Sequence, residues 1–71
     1  MNTQTMIMRS AQSVLHRTTL PREEADQIGR QIANNLSLPS NFQKAAARYN
    51  TTDEFEIGEQ AAKEYVQLVM A

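Results

Sequence analysis

A chain of 71 residues with no cysteine and a single histidine has few ways to hold itself together. Below ~70–80 residues a lone hydrophobic core rarely supplies more than ~3–5 kcal/mol, so small domains add a disulfide, a structural metal or a partner. Without cysteine there is no disulfide, no thiol nucleophile and no Cys zinc site, and one histidine leaves a structural zinc short of ligands. The apolar supply is also thin. Nine of the hydrophobic residues are alanines, which leaves twenty large apolar side chains. The remaining staple is self-association or a bound macromolecule, so the fold is expected to be completed by dimerisation.

Pro21, Pro39 and the run Asn50-Thr51-Thr52 punctuate the chain. The segments between them carry apolar residues at helical spacing, and no β-branched run alternates at period two. The fold class is therefore all-α: one helical domain over 1–71, a small four-helix bundle with helices near 5–17, 20–36, 41–49 and 52–70. In the first, Ile7, Met8, Ala11, Val14 and Leu15 share one arc opposite Arg9, Gln12, Ser13, His16 and Arg17, the pattern of a surface helix with one buried stripe. The second starts on Thr19 as N-cap with Pro21 in its first turn, and Glu23 and Glu24 sit where the helix dipole favours carboxylates. Its inward face reads Ala25, Ile28, Gly29, Ile32, Ala33, Leu36, and Asp26 can pair with Arg30 on the outside. Ala25, Gly29 and Ala33 form a small-residue ridge. A glycine in mid-helix costs ~1 kcal/mol relative to alanine, and close approach of another helix would offset it. The third helix has Ser40 and Gln43 at capping-box spacing, with Phe42, Ala45, Ala46 and Tyr49 on its apolar face. The fourth has a second box at Thr51 and Glu54. Its apolar residues fill about half the circumference, where one neighbour needs only ~100°. That width predicts a central position or a surface shared with another chain.

Ionisable residues argue against catalysis. His16 falls on the polar face of the first helix. The acid pairs Glu23/Glu24 and Glu56/Glu59 lie near helix starts, where charge–dipole attraction accounts for them. Gly29 and Gly58 are the only glycines and both lie mid-helix, so no Gly-rich phosphate loop or dinucleotide fingerprint can form. Thr51–Glu59 lacks the alternating oxygen ligands of a calcium loop. No catalytic residue, metal ligand, cofactor or small-molecule substrate is expected.

The first reading is thus a non-enzymatic protein that acts by protein–protein interaction, a self-associating modulator or accessory factor. Its surface is the apolar area left by the fourth helix (Ile57, Ala61, Tyr65, Leu68 and Val69) together with the first, including Leu15. Its partners are a second copy, giving a homodimer, and another protein. The alternative is a small DNA-binding regulator. Net charge is −1, but it is unevenly laid out, with +3 over residues 1–50 and −4 over 51–71. No acid occurs from Gln27 to Thr52. Residues 21–49 read as two helices across the turn Ser37–Ser40, the spacing of a helix-turn-helix. Asn41, Gln43, Lys44 and Arg48 are the side-chain types that meet base edges and phosphates. The small positive charge of that helix and the negative total weigh against strong DNA binding.

No stretch approaches the ~18 consecutive apolar residues of a membrane span. The first 22 residues contain no acid, a composition shared with amphipathic transit peptides, but they lack a secretory apolar core and have helical period. A cytoplasmic protein that makes no use of a membrane is expected.

Overall fold

The computed structural model describes residues 2–70, and every regular element in that span is helical: α1 (Thr3–His16), α2 (Arg22–Leu36), α3 (Pro39–Tyr49) and α4 (Glu54–Val69). The all-α, four-helix expectation holds. Its boundaries shift because the caps are not those expected. α1 starts earlier, on Asn2, whose side-chain oxygen accepts the Thr5 N–H at 2.8 Å. α2 has Pro21 as N-cap and no side-chain cap, while Thr18 rather than Thr19 ties down the turn by accepting the Leu20 N–H. Pro39 opens α3 instead of preceding it, because a proline's missing N–H costs nothing in a first turn, and the Ser40–Gln43 box does not form. That shortens the α2–α3 connection to Ser37 and Leu38. Asp53, not Thr51, caps α4, accepting from Phe55 and Glu56. Thr51 acts one step upstream, accepting the Asp53 N–H.

α3 ends on Asn50, which has φ 55° and ψ 45° and lets the Thr51 N–H reach back to the Ala46 carbonyl. Left-handed backbone is tolerated by glycine and asparagine and resisted by β-branched residues. Asn50→Gly is expected to leave the urea midpoint nearly unchanged, whereas Asn50→Val should cost ~1–2 kcal/mol. Equal midpoints for the two variants would contradict this cap.

The helix at the centre is α1, not α4. Both α2 and α4 pack along α1 and touch each other little, while α3 bridges α2 and α4 without packing on α1. The Cα envelope of 30 × 25 × 15 Å is two helix layers deep, given interaxial distances of ~8–10 Å. Ile7, Ser10, Ala11, Val14 and Leu15 of α1 are all buried. Against them lie mostly small residues: Ala25, Gly29 and Ala33 of α2, and Ile57, Gly58 and Ala62 of α4. Among the described residues, only Ile7, Leu15 and Ile57 are large apolar side chains wholly removed from solvent.

Both glycines sit at the crossings. A Cβ on Gly58 would collide with the Ser10 hydroxyl and lie 2.6 Å from the Ile7 carbonyl oxygen. One on Gly29 would collide with the Gln12 side chain. That side chain is itself held, its Nε2 donating to the Asp26 carbonyl oxygen at 3.0 Å. Gln12 and His16, read as fully outward, thus face α2. His16 Nε2 lies 2.6 Å from the Asp26 carboxylate, which takes the place of the expected Asp26–Arg30 pair. Gln4 and Asn34 hydrogen-bond farther along the same seam.

Candidate functional site

Because small residues make the helix crossings, the large apolar residues of the flanking helices are displaced to their sides. α2 turns its Ala25-Gly29-Ala33 ridge onto α1, which leaves Ile28, Ile32 and Leu36 half-buried along its flank. In the same way α4 gives Gly58 and Ala62 to α1 and keeps Ala61, Tyr65 and Leu68 to one side. The two flanks face each other across a groove, with Ile28, Ile32 and Leu36 on one wall and Ala61, Tyr65 and Leu68 on the other. Ile28, Ile32 and Tyr65 also rest on the buried cluster of Ala11, Val14, Leu15, Ala25 and Ala62, so the walls are anchored in the core. Tyr49 of α3 stands at the rim with Gln31, Asn35 and Glu64.

Of the five residues expected at an interface, Ala61, Tyr65 and Leu68 line this groove, and Leu68 is 79% exposed. Val69 is 61% exposed but lies off the groove. Ile57 cannot serve as contact area, since it is 0% exposed and enclosed by its own subunit at the α1–α4 crossing. Leu15, assigned to the working surface with α4, is also 0% exposed and belongs to the core. The α2 wall of the groove falls on the face that the sequence pattern places in the core. The small-residue ridge carried the clue, because a helix that offers its small face to a neighbour leaves its large residues alongside.

The rim is closed by a polar cluster. Glu64 accepts from Arg48 Nε at 2.9 Å and pairs with Nη2 at 2.7 Å. Burial and then the Glu64 carboxylate hold the Tyr49 phenol above its ordinary range, with Arg48 acting in the opposite sense. Tyr49 therefore stays protonated at neutral pH. Both charges at this edge of the groove are matched within the chain.

The four residues of the DNA reading are not presented together. Asn41, Lys44 and Arg48 share one shallow groove with Glu64, whereas Gln43 lines a different one beside Phe42 and Thr52. Positions 41, 44 and 48 recur at helical spacing on one face, and position 43 falls nearly opposite. Asn41 donates to the Asn35 carbonyl oxygen at 3.0 Å and Arg48 is paired with Glu64, which leaves Lys44 as the exposed member of the three without such a bond. Among the described residues no three His, Asp or Glu side chains converge, and no helix is long and apolar enough to cross a membrane. No protein-family model, curated protein or solved structure matches the chain.

Proposed function

We propose that this chain is a non-enzymatic, cytoplasmic interaction protein, a modulator or accessory factor whose working surface is the groove between α2 and α4. The observation that carries this reading is the groove itself: six apolar side chains on two facing helices, anchored in the core beneath and open above. Helix-in-groove recognition uses anchors at i, i+3 or i+4 and i+7 from an incoming amphipathic helix, and an open groove with an apolar wall on each of two helices suits that shape. An apolar groove with an amide rim also favours a protein ligand over a nucleic acid, because phosphate contacts supply most DNA affinity and the basic groups near this surface include one already committed to Glu64.

Site-directed photo-crosslinking in cells tests the reading. A photoreactive amino acid at Leu68 or Gln31, both exposed groove residues, is expected to trap a polypeptide, and one at Arg9 on the outer face of α1 is not. Equal adducts from all three positions, or none from the groove, would refute it. A gel shift of the unmodified protein on mixed DNA fragments at about 100 mM salt is expected to show no retention. Clear retention, lost in a Lys44→Ala/Arg48→Ala double variant that still folds, would move the function to α3.

A further inference from the structure

We infer that the occupant of the α2/α4 groove is the same groove face of a second copy, so that the protein is an isologous dimer with α4 of each subunit lying in the other's groove. The inference rests on the groove reading above and names its ligand. Three features favour a second copy over another kind of partner.

The first is that the chain carries both halves of a helix-in-groove contact. Ala61, Tyr65 and Leu68 are spaced i, i+4, i+7 along α4, the anchor pattern a docking helix presents, and the same residues form one wall of the receptor. Ala61 is small enough to let another helix approach closely. In a two-fold contact a patch must complement itself, and a helix that is both wall and ligand does so.

The second is charge. A patch that meets its own copy must avoid facing like charges, and here the rim holds the amides Gln31 and Asn35, the Tyr49 phenol and Glu64, whose charge is matched by Arg48 of the same chain. A strongly acidic or basic partner helix would find no unmatched counter-charge among these rim residues.

The third is size. The Cα extents of 30 × 25 Å along the two long axes leave room for an interface of the standard ~800 Å² per partner. A second copy brings a face of the same dimensions.

Sedimentation equilibrium of the purified protein over ~1–200 μM, a range that spans ordinary dimer affinities, tests this. Wild type is expected to reach twice the 8.0 kDa chain mass. Leu68→Glu should weaken the dimer about 30-fold or more, as for a central interface anchor, with unchanged far-UV circular dichroism because the side chain is exposed. Leu38→Glu, an exposed apolar position away from the groove, should leave dimerisation as in wild type. A wild type that stays at 8.0 kDa, a Leu68→Glu dimer as tight as wild type, or equal weakening by Leu38→Glu would overturn the inference. If wild type is monomeric while groove crosslinks trap a different polypeptide, the second copy is ruled out and the groove reading stands. If the crosslinks fail as well, both fall.

Discussion

Replacing Gly58 with leucine is expected to prevent folding, and even alanine should be destabilising at this position. Alanine gains ~1 kcal/mol of helix propensity over glycine, so a mid-helix Gly→Ala change ordinarily helps. Here the new methyl would press on two groups of α1. The Ser10 hydroxyl can rotate. The Ile7 carbonyl oxygen, 2.6 Å from the Cβ position, is backbone and cannot move without separating the helices. Overpacking of this kind costs ~1–3 kcal/mol, which outweighs the propensity gain, and leucine adds three further carbons at the same contact. Gly29→Ala should be milder, because its obstacle is the Gln12 side chain, although swinging that chain away gives up its bond to Asp26. Urea titrations should rank stability as wild type, Gly29→Ala, Gly58→Ala, Gly58→Leu, in falling order. Adding Ser10→Ala to Gly58→Ala should not restore the loss, since Ile7 remains. A Gly58→Ala variant more stable than wild type would mean that the crossing is looser than described.

Leu15→Glu should abolish folding, whereas Leu68→Glu should leave the subunit folded. Side by side the two residues look alike in the sequence, as leucines on apolar stripes, and both were assigned to one working surface. They differ in burial, 0% against 79% exposed. An isolated carboxylate at Leu15 would have to lose its water or be protonated in the middle of the core, a cost of several kcal/mol. Leu15→Ala alone should cost ~2–5 kcal/mol, comparable to the whole ~3–5 kcal/mol that a core of this size supplies. Circular dichroism of the purified variants separates the cases. A helical, cooperatively melting Leu15→Glu protein would contradict the placement of α1 at the centre.

Much of the architecture was legible because helix punctuation is local. Pro21, Pro39 and Asn50 each mark a boundary within two residues of where the chain turns. The position of each cap was less legible, because two neighbouring residues can compete for one role. Thr51 and Asp53 both bond backbone N–H groups, and only the path of the chain decides which of them begins α4. Of the two places the apolar width of α4 allows, the central one goes to α1, for a different reason. Hydrophobic arcs weigh residues by their apolar bulk, so α4, with Phe55, Tyr65 and three aliphatic residues near its end, outweighs α1. Burial in this fold follows closeness instead. Ser10, Gly29 and Gly58 count for little on a hydrophobic wheel, yet they occupy the tightest contacts. Ser10 could have been found, since it lies three residues after Ile7 and four before Val14 on the same stripe, and its hydroxyl is satisfied by the Ile7 carbonyl at 3.1 Å. The groove was partly legible for the same reason. Its α4 wall was visible as surplus apolar width, but its α2 wall looked like core until the small ridge was seen to take that place.

The arrangement of α2 and α4 around α1 also bears on the order in which the chain can fold. During synthesis α1 emerges first, and α2 can close on it as a local hairpin, but the stripe of Ile7 and Ser10 must wait for Gly58. The whole of α2 and α3 has to be made before that contact is available. Helical proteins usually fold through neighbours in sequence and so fold fast; here the tightest contact joins the helices farthest apart along the chain. Until α4 arrives, the nascent chain exposes one side of α1, and apolar surface left open at that stage is what chaperones engage and what aggregates. The step that completes the molecule is therefore the long-range closure of α4 onto α1.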